Sequence, residues 1–418
     1  MLLEFRVRNY KSIKDDCIFS MVANTDKLHA ETHVIKTGIK SIPGILRSSV
    51  IYGANASGKS TLVNAITFAR AVVAESSTSM QLGQTFNTQP FRLDEKYILE
   101  PSEFEFTYLD DGVRYQYGFA LNSKQVVEEW LLVYRNAKPQ QWFKRSYHNK
   151  LHKEVYEFSS YLSGPRKLWQ ESTRPNALFL STAVQLNSEQ LSPVFNWIVN
   201  KLLPISAGVT PLPDTTTAML QNSDGKKEVQ EFLTSADISI TDIRIEPRRG
   251  FTQTWNFDAA TGKSNINNEE SEMLFPQFMH VTEKGSAVFE LHEESLGTQR
   301  IYAFAGPVLD ILKQGKILIV DELDSSLHTL LVRRLVDMFN DPILNKNSAQ
   351  LIFTTHDTAL LDTDILRRDQ VWFVEKDPSQ ATTIYPLTDF SPRKNEALER
   401  GYLVGRYGAL PFFRDFKF

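Results

Sequence analysis

Apolar and polar residues alternate over residues 2–8, with Leu3, Phe5 and Val7 set against Glu4, Arg6 and Arg8. A period of two predicts a strand. The run 48–52 predicts a second short strand, which leads straight into a glycine-rich turn. The period then becomes helical over residues 59–74, with Leu62, Ile66, Ala69 and Val73 on one face. Strand-like runs return at 104–108, 115–121 and 129–134, and the turn Asp110, Asp111, Gly112 suits a hairpin. Residues 155–245 read as helical, most clearly at 193–203 and 226–233, with a loop at 211–217. Residues 251–272, polar and rich in Asn, Thr and Glu, read as an exposed loop or lid. Residues 278–281 and 287–291 predict another hairpin around Lys284 and Gly285. From 294 the order is helix, strand (317–320), helix (326–340), strand (350–354) and strand (370–375). That alternation predicts an α/β core with parallel strands.

Composition narrows the class. A chain of 418 residues suggests about two to three domains. Lys plus Arg number 46 and Asp plus Glu 50, so the net charge of −4 gives no strong basic field. Apolar residues at 42% and charged residues at 23% describe a soluble globular chain. Cys17 is the only cysteine, so no intrachain disulfide forms and a reducing, cytoplasmic location is expected. The first ten residues lack the apolar region of a signal peptide, and apolar runs such as 317–320 are too short to span a membrane.

Candidate chemistry sits at the ends of the predicted strands. Residues 53–60, with Gly53, Asn55, Ala56, Ser57, Gly58, Lys59 and Ser60, satisfy G-x-x-x-x-G-K-[ST] between a strand and a helix. Glycines let the loop wrap closely so that backbone N–H groups face phosphate, Lys59 reaches the outer phosphates, and the Ser60 hydroxyl suits Mg²⁺. The apolar strand 317–320 ends in Asp321 and Glu322, where α/β folds bind ligands. Asp321 suits the Mg²⁺ shell, and Glu322 suits polarising a water. Ser295, Gly297 and Thr298 stand at a predicted helix start, which alone is an ordinary N-cap. His356 closes the strand 350–354, and Asp324 lies in the loop after Glu322.

In this order the features resemble the ABC-type ATPase heads of the SMC/RecF/OLD group. Residues 295–298 look like a variant signature motif, with Leu296 where the usual motif has glycine. Asp324 resembles the D-loop acid and His356 the switch histidine. The segment Asn9, Tyr10, Lys11, Ser12 resembles one whose basic residue approaches the nucleotide, so Lys11 and Ser12 join Thr61 as candidate nucleotide contacts. Gln89 is the candidate Q-loop glutamine and Mg²⁺ ligand. Closer similarity is to the RloA/AbiL-like ATPases associated with abortive infection and phage defence, carried by residues 5–13, 174–181, 294–300 and 401–411.

The resemblance implies an ABC-type α/β head with an antiparallel β subdomain and a helical insertion. It divides the chain into an N-terminal lobe (1–150), a helical insertion or lid (151–275) and a C-terminal lobe (276–418). It also implies ATP and Mg²⁺ as ligands and a head-to-head dimer. In that dimer Lys59, Ser60, Asp321, Glu322 and His356 act from one copy, and Ser295, Gly297, Thr298 and Asp324 from the other. The 62 residues after His356 are too few for the nuclease that OLD relatives carry. Effector chemistry is therefore expected from a separate protein, plausibly encoded nearby. Basic clusters at Arg6, Arg8, Lys11 and Lys14, at 248–249, at 333–334 and at 367–368 keep DNA as a possible partner. Two rival readings are a RecF-like DNA-repair ATPase and an ATP-binding scaffold that does not hydrolyse. His280, His292 and Glu293 match no zinc spacing.

Overall fold

The computed structural model describes every residue except 137, 149–152, 259–262, 326, 394–395 and 412–418, with 250–271 described by backbone alone. Two compact units emerge. The first comprises Met1–Gly208, Ile311–Ser325 and Val332–Phe418, and the second Val209–Asp310 and Ser326–Leu331.

The first unit holds a six-stranded sheet in the order Leu202–Ile205, Ile317–Val320, Gln350–Thr354, Ser48–Gly53, Val371–Lys376, Thr382–Pro386. The first five strands are parallel, and the last turns back antiparallel on its neighbour. Strands Ile317–Val320, Gln350–Thr354 and Ser48–Gly53 are buried at every position. Parallel sheets covered on both faces read as continuous apolar runs, as these do. The same unit carries a seven-stranded antiparallel sheet. Its order is Lys153–Phe158, Gln140–His148, Val126–Tyr134, Val113–Leu121, Ser102–Asp110, Leu2–Arg8, Cys17–Ser20. The alternation read in residues 2–8 is real: Leu3, Phe5 and Val7 are buried, and Phe5 packs on Phe106 at 4.9 Å between ring centroids. Helix Lys59–Glu75 buries Leu62, Ile66, Ala69 and Val73, and these share one core with Phe5, Phe104 and Phe119. The expected α/β core with an antiparallel β subdomain is therefore present.

The second unit is built on the three-stranded antiparallel sheet Asp242–Asp258, Lys263–Thr282, Gly285–Glu290, with helices Asp214–Met219, Ser223–Ser235 and the bulk of Leu296–Gln314. The Thr216 hydroxyl enters the backbone ladder of this last helix. It donates to Tyr302 O (2.8 Å) and accepts from Gly306 N (2.8 Å), so a side chain supplies the link one turn before Pro307.

Four local expectations change. Residues 251–258 and 263–272 lie in two long paired strands, not a loop, with Asp242 to Asp258 paired residue for residue to Met279 to Lys263, and 259–262 lie outside the described residues. Polar side chains do not preclude strands, because two paired strands satisfy each other's N–H and C=O groups whatever their side chains. The helix read at 193–203 is shorter: Ser192–Asn196, a wide turn at Trp197–Lys201, then strand Leu202–Ile205 on the edge of the parallel sheet. Short buried apolar runs do not distinguish helix from strand by period. The loop at 211–217 contains the start of helix Asp214–Met219, and the region read as helical begins inside strand Lys153–Phe158.

Candidate functional site

Strand Ser48–Gly53 ends beneath the turn that leads into helix Lys59–Glu75. Both glycines of this turn are fixed by crowding. A Cβ on Gly53 would stand 2.3 Å from Val374 O, and one on Gly58 would stand 2.2 Å from Thr382 Oγ1. Gly58 also has φ +115°, a left-handed conformation that favours glycine. Asn55 and Ala56 are exposed at the crest of the loop, while Ser57 is buried with no hydrogen-bond partner for its hydroxyl oxygen among the described residues. The helix starts at Lys59 without a side-chain cap. Its first-turn N–H groups are the kind that bind phosphate.

Lys59 is only 6% exposed, and its Nζ donates to Gly53 O (2.7 Å) and Ala54 O (3.2 Å). An ammonium has three N–H bonds, so one is left for a phosphate oxygen. Burial lowers the Lys59 pKa, opposed by the charges of Asp321, Glu322 and Asp324. Across the sheet, strand Ile317–Val320 delivers the buried Asp321, whose N–H donates to Ile205 O (2.9 Å). Its Oδ1 accepts from Thr354 Oγ1 (2.7 Å), and the same hydroxyl accepts from Glu322 N (2.7 Å). Asp324 Oδ2 accepts from His356 N (3.3 Å), and its Oδ1 is buried without a hydrogen-bond partner among the described residues. The His356 pKa is lowered by burial and by Lys59, against the pull of Asp324, Glu322 and Asp321. The lysine, three acids and histidine thus form one electrostatic cluster at the carboxyl ends of the parallel strands.

The sequence matches the family model described as "AAA domain, putative AbiEii toxin, Type IV TA system" over residues 48–195 and 214–362, well over half the chain. The chain belongs to this AAA-domain family. Comparison with curated proteins gives no significant match. Among solved structures, the AAA-domain chain is similar to that of "the SmcHead bound to the C-winged helix domain of ScpA". The TM-score is 0.42 at 10% identity, over 92% of this chain and 97% of that one.

The remaining candidates of this AAA-domain protein fall into two places. In the first unit, Asn9 anchors the segment that carries Lys11 and Ser12: it is fully buried, and its amide donates to Tyr97 O (2.8 Å) and Glu100 O (2.9 Å). Lys11 N donates to Gln89 O (2.5 Å), so Gln89 meets the N-terminal segment through its backbone. The Ser12 hydroxyl lies 2.9 Å from Thr61 Oγ1 and 2.8 Å from Thr382 Oγ1. Thr382 Oγ1 also donates to Ser57 O (2.9 Å). In the second unit, Ser295 Oγ accepts from Thr298 N (3.1 Å) and meets Thr298 Oγ1 (2.9 Å), which caps helix Leu296–Gln314. Gly297 lies in that first turn, and Leu296 is 75% exposed. His280 is paired with Glu294 at 2.7 Å.

Sequence reasoning missed two threonines. Thr354 carries a weak signal, as a polar residue closing an apolar strand just before His356. Thr382 carries none, being 325 residues from the loop carbonyl that it holds. Thr382→Val should raise the ATP concentration for half-maximal turnover by about tenfold, the worth of one or two hydrogen bonds. Thr382→Ser should restore it, and steady-state kinetics on the pair checks both.

Proposed function

We propose that this chain binds Mg·ATP at residues 53–61 and hydrolyses it, and that turnover drives a dimeric switch. The observation that carries the reading is the convergence of Lys59, Asp321, Glu322 and His356 at the strand ends. Loop N–H groups and Lys59 hold the phosphates. Glu322 takes a proton from a water whose oxygen attacks the γ-phosphorus. The bond from that phosphorus to the bridging oxygen breaks, and ADP leaves with the electron pair. The neutral imidazole favoured by the lowered His356 pKa donates or accepts a hydrogen bond at the γ-phosphate. A hydroxyl on Ser60 and a carboxylate on Asp321 are hard oxygen donors that fit Mg²⁺. When bound, Mg²⁺ would neutralise charge on the β- and γ-oxygens.

A second copy would supply Ser295, Gly297, Thr298 and Asp324 across the nucleotide, so that ATP favours the closed dimer and hydrolysis releases it. We further read the switch as restraining a separate effector protein in antiphage defence. Charge supports a protein partner over DNA. Arg6 and Arg8 are paired with Asp16, Glu103 and Glu100, Lys14 with Asp94, and Arg248 with Glu246 and Glu290. Arg367 and Arg368 are likewise paired, with Asp369 and Asp26. Light scattering on Glu322→Gln with Mg·ATP tests the switch: the expected result is a doubled mass that reverts when nucleotide is removed. A mass unchanged by ATP would overturn the dimer.

A further inference from the structure

Glu322 is held in a conformation that side chains other than glycine rarely adopt, with φ +57°. The hydroxyl of Thr354 sits at the centre of what holds it there. Thr354 is fully buried at the end of strand Gln350–Thr354, one strand away from Ile317–Val320. Its Oγ1 donates to Asp321 Oδ1 (2.7 Å) and accepts the backbone N–H of Glu322 (2.7 Å), while its carbonyl accepts from Leu323 N (3.1 Å). Three consecutive residues of the acidic segment are therefore tied to one threonine.

The hydroxyl's proton is committed by this geometry. A carboxylate only accepts and an N–H only donates, so the hydroxyl must give its proton to Asp321 and offer its lone pair to Glu322. Asp321 thereby has one oxygen fixed and the other left for a cation. The backbone of Glu322 is pinned so that its side chain departs in one direction.

We propose that Thr354 is the positioning residue of the hydrolytic step, setting Glu322 and Asp321 relative to each other without touching nucleotide. The proposal rests on the reading of Glu322 as the general base. The chain His356–Thr354 adds a consequence. The residue that orients the acids and the histidine of the γ-phosphate share one strand end, so a shift of that end moves all three groups together.

Valine has the shape of threonine without the hydroxyl, so Thr354→Val removes both bonds and keeps the packing. Turnover should fall about 10- to 100-fold, because small misplacement of a catalytic group is costly, with ATP affinity changed by less than about threefold. The Mg²⁺ concentration for half-maximal rate should rise, and Thr354→Ser should regain most of the activity. In a Glu322→Gln background the valine substitution should cost less than about threefold more, since the group it positions is already disabled. A purely structural role would instead lower kcat and ATP affinity together and multiply with Glu322→Gln. Full turnover in Thr354→Val, or full additivity with Glu322→Gln, overturns the inference while leaving the hydrolase reading intact. Absence of turnover in the parent chain overturns both. Should Thr354→Val not fold, Thr354→Ala and Thr354→Ser give the same comparison.

Discussion

Glu322→Gln is expected to hydrolyse ATP about 10² to 10⁴ times more slowly than the parent chain, the usual worth of a positioned general base. ATP binding should survive, because Gln keeps the size of Glu and the proposed phosphate contacts lie in residues 53–61. The backbone N–H of residue 322 would still donate to Thr354 Oγ1, so the local conformation is preserved. What is lost is the ability to accept a proton from water, since an amide oxygen is a far weaker base than a carboxylate. A single-turnover assay with radiolabelled ATP, run beside equilibrium binding, separates the two quantities. Hydrolysis at the parent rate would remove Glu322 from the role of base.

Lys59→Ala is expected to weaken ATP binding by about 10² to 10³-fold, in line with the cost of removing one partner from a buried charged pair. The effect has two sources. The phosphates lose a cation that is almost wholly shielded from solvent, and the carbonyls of Gly53 and Ala54 lose their donor. Calorimetric titration with ATP reads the change directly, and thermal melting without nucleotide reports how far the loop alone depended on the lysine. Unchanged affinity would contradict the phosphate-loop reading. Glu322→Gln and Lys59→Ala thus fail in opposite ways, one retaining nucleotide it cannot cleave and the other unable to hold it.

The legible parts of this molecule were those whose chemistry is local. The turn between strand Ser48–Gly53 and helix Lys59–Glu75 was legible because its glycines stand at fixed spacing between an apolar run and a helical period. The acidic strand was legible because four apolar residues, Ile317 to Val320, lead without interruption into Asp321 and Glu322. Phe5 and its neighbours were legible because one face of their strand is buried. What escaped was set by partners distant in the chain. Strand Leu202–Ile205 exists because Ile317–Val320 pairs with it, and its own four residues LLPI would serve a helix end equally well. The hairpin Asp242–Asp258 with Lys263–Thr282 is held by its own ladder, and its apolar alternation at Ile243, Ile245, Phe251, Trp255 and Phe257 is interrupted by Pro247, Arg249 and Gln253, so polar composition dominated the reading. Thr354 and Thr382 look like unremarkable hydroxyls until the sheet order places one beside two acids and the other on Gly58.

That placement of Thr382 has a consequence for how the protein is made. The glycine-rich loop is synthesised more than 300 residues before the residues that crowd its two glycines, Val374 and Thr382. At about 5–20 residues per second, the interval between them is tens of seconds of synthesis. During that interval the nascent loop lacks the two residues that crowd its glycines, so its folded geometry is completed only after Thr382 has been made.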